Sequence, residues 1–235
     1  MAAELAKLRF LPTPRWTLVF CLGLAVAGSA VALFDGSVRA STYVDAAEVI
    51  TGVGTVIGAI VLGVWVAGVE YGQNTMRRVL AADPRRGRLF AAKVATAVAA
   101  SLLLTLVVWT ASVILLSFAA GANDASSPTR DLFTASATSL VANPIYAAIG
   151  CAVAMLARSM AGGMAAMLAL VFVLDTALTA LPGGNISLGS ALREIGRALE
   201  GESGQDAGHA VRVTVAWIVI LLGTAWARFT RTDVT

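Results

Sequence analysis

Charged side chains are scarce in this sequence, and their scarcity excludes a soluble domain. Only 13% of the 235 residues are charged and 58% are hydrophobic, and the mean hydropathy is +0.81. This composition is typical of a helical protein that crosses a membrane several times, because each crossing needs about 20 apolar residues. We therefore predict an all-α, polytopic membrane protein with one transmembrane domain over residues 1–235 and no nucleotide-binding domain.

Lysine, histidine and cysteine are rare as well, which removes several kinds of catalytic site. The two lysines, Lys7 and Lys93, each follow an alanine, so the sequence has no Gly-Lys-Ser/Thr phosphate-binding loop. A single histidine, His209, excludes an H-E-x-x-H zinc site. Cys21 and Cys151 lie inside apolar runs and are expected to pack as small hydrophobic side chains. We expect a chain that is not an enzyme by itself and binds no metal or cofactor.

The net charge of +3 does not indicate nucleic acid. The basic residues cluster beside apolar runs, where they set the orientation of the spans and meet anionic headgroups. We expect membrane lipid, and no nucleic acid, as their partner.

Six apolar stretches are long enough to be transmembrane helices. They cover residues 16–34, 46–69, 94–119, 132–157, 160–181 and 211–227. In the second stretch, Gly54 and Gly58 form a small-xxx-small pair, either a helix-packing face or the general glycine enrichment of membrane helices. Pro144 predicts a kink in the fourth.

Residues 1–15 have an amphipathic pattern that suits a helix lying in the membrane interface, ended by Pro12 and Pro14. The alternative is a secretory signal cleaved at the small residues 27–30. A run of 19 residues over 16–34 is long enough to span, which favours a retained first span.

The polar stretch from Glu70 to Lys93 separates the second and third spans. It holds six of the seventeen basic residues and is expected to lie in water. Good helix formers over 75–80 predict a short helix, Pro84 ends it, and Gly87 is expected to loosen the link to the next span.

In its sequence pattern this stretch resembles the cytoplasmic loop of permease subunits of ABC transporters of the type-2 exporter class. The features shared are Glu70, Thr75 with basic residues behind it, a break over 84–88, and Ala92-Lys93 opening an apolar span. Many members have glycine before the threonine, where this chain has Asn74. The resemblance implies that residues 70–88 form a coupling loop whose helix sits in a groove of a separate ATPase subunit. The coupling residues it implies are Glu70, Thr75, Arg77, Arg78, Leu80, Arg85 and Arg88.

Two alternatives for Glu70 are that its carboxylate caps the coupling helix or pairs with Arg77 or Arg78. A third is that the charge merely marks the membrane edge.

A second polar stretch, residues 182–210, is predicted to be an outer loop with a short amphipathic helix capped by Ser190. Such a helix resembles the outer-face helices of the same permease family, and a solvated loop helix without a special role is the alternative. Asp175, about 25 Å along a helix from Arg158, is predicted near the outer interface, with a proton or cation relay as the alternative.

The basic residues also predict the orientation. With both termini in the cytoplasm, twelve of the seventeen basic residues lie inside and five outside. The 70–88 loop is therefore predicted to lie in the cytoplasm, and the resemblance implies that the protein lies in the plasma membrane of the cell.

The resemblance implies two permease subunits, identical or related, above two ATPase subunits that bind ATP and Mg. Few charges face the membrane interior, so an apolar or amphipathic cargo such as a drug, a lipid or a modified peptide is expected to move outward. Candidate pathway residues are Phe20, Trp65 and Asn143, with ordinary helix packing as the alternative. A secondary carrier driven by an ion gradient and a non-transporting assembly or sensor protein are the other functions that the sequence leaves open.

Overall fold

The protein is almost entirely helical in the part of the chain that the computed structural model describes. That part comprises residues 12–34, 40–73, 75–82, 85–122, 129–180, 186–199 and 207–231. The helices are α1 (Pro12–Phe34), α2 (Ala40–Gly72), α3 (Met76–Ala82), α4 (Arg86–Ala122), α5 (Thr129–Ala157), α6 (Met160–Leu168), a π-helical segment (Ala169–Leu174), α7 (Asp175–Thr179), α8 (Leu188–Leu199) and α9 (Ala207–Arg231). The prediction of an all-α protein is confirmed.

Five stretches among the described residues are long and apolar enough to cross a membrane. They are Thr51–Gly72 in α2, Arg86–Phe118 in α4, Ser136–Ala157 in α5, Met160–Thr179 over α6 to α7, and Ala207–Arg231 in α9. The protein is thus compatible with multiple membrane crossings. α1, which contains the predicted first span, is not one of the five, and its first turn carries Arg15 and two prolines.

Pro12 and Pro14 begin a helix in the described part of the chain. They lie in the first turn of α1, where proline is tolerated because the first backbone N–H groups of a helix have no partner within it. The predicted interfacial helix over residues 1–15 lies outside the described residues up to residue 11.

The core is formed by close packing of α2 on α5. Gly63 of α2 faces the backbone carbonyl of Ala147 in α5, and an added Cβ would collide with it. Alanines 59, 67, 147, 152 and 154 are fully buried in the same cluster. Small residues let membrane helices approach closely, and the backbone contact at Gly63 is an example.

Gly54 and Gly58 form a packing face between α2 and α1. A Cβ at Gly54 would come within 2.8 Å of Leu24, and one at Gly58 within 2.7 Å of Cys21 Sγ. The thiol of Cys21 also donates to the carbonyl of Gly54 at 3.3 Å. These contacts favour a true packing face over general glycine enrichment.

Polar side chains link α4 to α2 and to α5 inside the bundle. Thr51 and Ser112 lie within hydrogen-bond distance at 3.4 Å, and Asn143 Nδ2 donates to Thr105 Oγ1 at 3.0 Å. α5 continues as a helix through Pro144. Buried amides and hydroxyls in membrane helices gain from such pairing, because no water is present to replace it.

Candidate functional site

The connection between α2 and α4 is a tight, hydrogen-bonded unit that contains α3. At the end of α2 the Thr75 N–H donates to the carbonyl of Glu70 at 2.9 Å. The carbonyl of Thr75 then accepts from the N–H groups of Arg78 and Val79 at 3.0 and 3.1 Å, which starts α3. The helix predicted over 75–80 is observed one residue later, over Met76–Ala82.

One side of α3 is packed into the bundle. Met76 is only 2% exposed and belongs to the main core cluster together with Leu89 and Phe90 of α4, and half-buried Val79 packs against that cluster. Arg78 on α3 is exposed, as are Arg85 and Arg88 around the start of α4. The side chains of Arg77 and Leu80 lie outside the described part of the structure. α3 is therefore a short helix with an apolar anchor and an exposed basic side.

Behind α3, Glu70 and Lys93 form a buried ion pair. Lys93 Nζ lies 3.0 Å from Glu70 Oε1, and the two side chains are 0% and 3% exposed, respectively. Lys93 Nζ also donates to the carbonyl of Val66 at 3.1 Å. The expectation that the whole 70–93 stretch lies in water is wrong for these two residues, because α2 and α4 meet there and enclose them.

Lys93 was not singled out as a site residue from the sequence, although a signal was present. Glu70 and Lys93 carry opposite charges near the facing ends of two consecutive apolar helices, on either side of the short α3 connection. Opposite charges at such positions can pair where the two helices pack against each other.

The last helix closes this end of the bundle. The rings of Phe90 and Trp226 meet edge to face with centroids 5.4 Å apart, and Phe229 lies 6.2 Å from Phe90. Gly87 lies inside α4 and gives room to Trp226, since a Cβ there would come within 2.6 Å of the indole. The prediction that Gly87 loosens the link is wrong, because α4 starts at Arg86, eight residues before the predicted start of the third span.

A turn between α5 and α6 lies at the same end. Arg158 has a φ of 53°, in the left-handed region, and the next residue, Ser159, caps α6 by accepting from the Gly162 N–H at 3.2 Å. Tyr71 at the end of α2 is within electrostatic range of Arg158 and of Arg228 on α9. We call this end of the bundle, with Glu70, Lys93 and the arginines around them, the basic end.

The three candidate pathway residues do not share one surface in the single chain. Phe20 is about half exposed on α1, whereas Trp65 and Asn143 are buried. Trp65 belongs to the main core cluster, and Asn143 holds Thr105 of the neighbouring helix. Helix packing accounts for the positions of Trp65 and Asn143.

Asp175 lies at the far end of the α6–α7 span and holds α8. Its Oδ1 accepts from Ser187 Oγ at 2.7 Å and from the Gly189 N–H at 2.9 Å. Ser187 Oγ in turn accepts from the N–H of Ser190 at 3.1 Å, so the capping side chains are Ser187 and Asp175 rather than the predicted Ser190. Trp217 of α9 fixes the same turn by donating to the carbonyl of Ile186 at 2.9 Å.

Among the described residues, no three His, Cys, Asp or Glu side chains lie close enough together to hold a metal ion. Comparison of the chain with protein-family models, with curated proteins and with solved structures finds no match. The likeness to type-2 permeases therefore remains a matter of the 70–93 pattern and the order of spans.

Proposed function

We propose that the chain is the permease subunit of an ATP-driven exporter of the ABC type-2 class. The observation that carries the proposal is α3, a seven-residue helix anchored by Met76, with exposed Arg78, between two long apolar helices. In this proposal α3 is the coupling helix, and Glu70, Thr75, Arg77, Arg78, Leu80, Arg85 and Arg88 are the coupling residues. ATP and Mg bind to two copies of a separate ATPase subunit.

The proposed topology has six spans, formed by α1, α2, α4, α5, the α6–α7 stretch and α9. Both termini and the basic end face the cytoplasm of a cell whose plasma membrane holds the protein, with α8 on the outer side. Support comes from the basic side chains gathered where α2, α4, α5 and α9 meet, since basic residues are retained on the cytoplasmic side.

The contacts of α3 suit a part that transmits force. A movement of the ATPase against α3 would pass through Met76 into the core and through the Glu70–Lys93 pair into both α2 and α4. Coupling between distant sites needs packed elements of this kind rather than a loose tether. The response would be an outward-opening pathway between two permease subunits.

The exposed apolar surface of the chain suits lipid and a second permease subunit. Phe172 and Val173 in the π-helical segment and Val219 and Ile220 in α9 are all more than half exposed. In this proposal the cargo is apolar or amphipathic, such as a drug, a lipid or a modified peptide, and crosses between the two subunits.

Co-expression with any ABC ATPase encoded beside this gene tests the proposal. The full chain and the ATPase should copurify, and the complex should hydrolyse ATP faster than the ATPase alone. Replacing Arg77 and Arg78 together by Glu should abolish both results. Arg197→Glu is a matched control, because Arg197 is also an exposed arginine on a short helix, here paired with Glu194 in α8.

Failure to form a complex, or stimulation that survives the double reversal, would refute the proposal. Efflux that follows a proton or sodium gradient and ignores ATP depletion would instead establish a secondary carrier. A folded chain that moves no cargo under either driving force would be an assembly or sensor protein.

A further inference from the structure

Two buried polar atoms near the contact between α4 and α5 have no hydrogen-bond partner among the described residues. They are Asn143 Oδ1 in α5 and Trp109 Nε1 in α4, and the two residues are 0% and 3% exposed, respectively. Buried polar atoms in folded proteins are paired with protein groups or with ordered water in the great majority of cases. The amide oxygen needs a donor, and the indole N–H needs an acceptor.

Thr105 of α4 orients the amide group of Asn143. The Thr105 hydroxyl donates to the carbonyl of Ser101 at 2.8 Å, so its oxygen is left to accept, and Asn143 Nδ2 donates to it at 3.0 Å. The amide nitrogen is therefore turned toward Thr105, and the amide oxygen is the end that still needs a donor.

Pro144 adds a third group that needs a partner. α5 continues as a helix through Pro144, and proline has no N–H, so the carbonyl of Leu140 lacks the donor that an ordinary helix supplies four residues later. Leu140 is half-buried. Proline is tolerated in membrane helices where side chains or ordered water satisfy the carbonyl that it frees.

α4 and α5 run in opposite directions. The end of α2 lies beside the start of α4, where Glu70 meets Lys93. The end of α2 also lies beside the end of α5, because a Cβ at Gly68 would contact Met160, three residues beyond that helix. The start of α4 and the end of α5 therefore lie together at the basic end.

The three groups consequently converge beside the contact between Thr105 and Asn143. Trp109 follows Thr105 by one turn of α4, and Leu140 precedes Asn143 by nearly one turn of α5, so both lie on the side away from the basic end. Side chains of a helix lean toward its N-terminus, and its carbonyls point toward its C-terminus. The indole of Trp109 thus leans toward Asn143, and the amide of Asn143 and the carbonyl of Leu140 approach the same level along α5.

We propose that Asn143, Trp109 and the carbonyl of Leu140 bind an internal water molecule. The water donates one hydrogen to Asn143 Oδ1 and the other to the Leu140 carbonyl, and it accepts from Trp109 Nε1. Three hydrogen bonds are typical of a buried water. The water replaces the N–H that Pro144 lacks and links α4 to α5, whether or not the chain couples to an ATPase.

Solid-state NMR of the full chain in lipid vesicles tests the site. The indole N–H of Trp109, identified by the loss of its signal in Trp109→Phe, should receive magnetisation from water although the residue is only 3% exposed. Asn143→Leu should abolish this transfer. Thr214→Val is the control and should retain it, because it removes another buried hydroxyl without a partner among the described residues, on α9. No transfer in the wild type, transfer that survives Asn143→Leu, or equal loss in both variants would overturn the site.

Pro144→Ala tests the contact with Leu140 in a variant that should fold, because alanine suits a helix better than proline. The new N–H pairs with the Leu140 carbonyl, so the water loses one of its acceptors and the transfer to Trp109 should fall. Unchanged transfer would overturn the site as proposed. Ser101→Ala removes a buried hydroxyl on the opposite side of Thr105 and should leave the transfer unchanged. Loss of transfer in Ser101→Ala would place the water beside Ser101 and would also overturn the proposal.

Discussion

Lys93 Nζ lies 3.0 Å from Glu70 Oε1 in a site where both side chains are almost fully buried. The pair joins the last turn of α2 to the eighth residue of α4, and Lys93 also binds the Val66 carbonyl. It therefore closes the helix hairpin from which α3 projects. A charge pair so deeply buried is stable only while both partners are present.

Removing one partner of this pair should destabilise the protein strongly. We expect Lys93→Met to lower the free energy of unfolding by about 3–5 kcal/mol, because the Glu70 carboxylate stays buried without the ammonium group. Denaturation of the detergent-solubilised chain measures the change. Arg78→Met, at an exposed position nearby, should change stability by less than about 0.5 kcal/mol.

The double variant Glu70→Leu/Lys93→Met separates the ion pair from general packing. Apolar side chains of similar volume replace both charges, so most of the lost stability should return. If the double variant were as unstable as Lys93→Met alone, the loss of stability would come from packing and not from the unpaired Glu70 charge.

Truncating Met76 should release α3 from the bundle. A buried Met→Ala change costs about 2–5 kcal/mol, and a seven-residue helix has little stability of its own once that contact is lost. We expect hydrogen exchange of the amides over 76–82 to accelerate in Met76→Ala, while α5 keeps its protection. Ala81→Ser, on the exposed side of α3, should leave exchange unchanged. Equal acceleration in both variants would show that Met76 is no anchor.

Two glycines of α2 should respond oppositely to alanine. In Gly63→Ala the new methyl group meets the Ala147 carbonyl and forces α2 and α5 apart, at about 1–3 kcal/mol. In Gly52→Ala nothing lies within 4 Å, and the variant should be neutral or more stable by up to about 1 kcal/mol. Thermal unfolding of the two variants side by side checks the difference, and equal stability would mean that the close α2–α5 contact is absent.

Asp175 can be tested as a cap and as a relay in one comparison. Asp175→Ala removes the acceptor for Ser187 and Gly189, which should lower the stability of the start of α8 by about 0.5–2 kcal/mol. Hydrogen exchange of the amides there should become faster. Asp175→Asn keeps an acceptor oxygen and should stay close to the wild type. A relay would lose transport equally in both variants, since neither can carry a proton.

Hydropathy and helix-forming patterns predicted the helical class and most long apolar helices, because burial in lipid acts on every residue of a span. They also located the start of α3 within one residue and its end within two, since proline and the change to polar residues limit it locally. The partner of Glu70 and the role of Gly87 depend on which helices become neighbours. That choice is made by close packing at positions such as Gly63, and single-sequence patterns do not encode it.

The predicted starts of α8 and α4 differ from the observed ones because contacts between distant parts of the chain decide them. Ser187 and Ser190 both fit a helix cap, and the choice between them is made by Asp175, twelve residues before Ser187. The start of α4 was placed too late because charged residues were assigned to water. Their side chains instead find partners on α2 and α9, which lets the helix extend to Arg86.

The contact between Arg86 and the carbonyl of Thr230 joins residues that are 144 positions apart. A ribosome adds about 5–20 residues per second, so α4 emerges roughly 7–29 s before the helix that covers its first turn. During biogenesis the ring of Phe90 and the surface of Gly87 stay uncovered until Trp226 has been synthesised. Synthesis of α9 is therefore the step that completes the packing beside α3. A nascent chain stalled before α9 would lack the contacts that Trp226, Phe229 and Thr230 make with the start of α4.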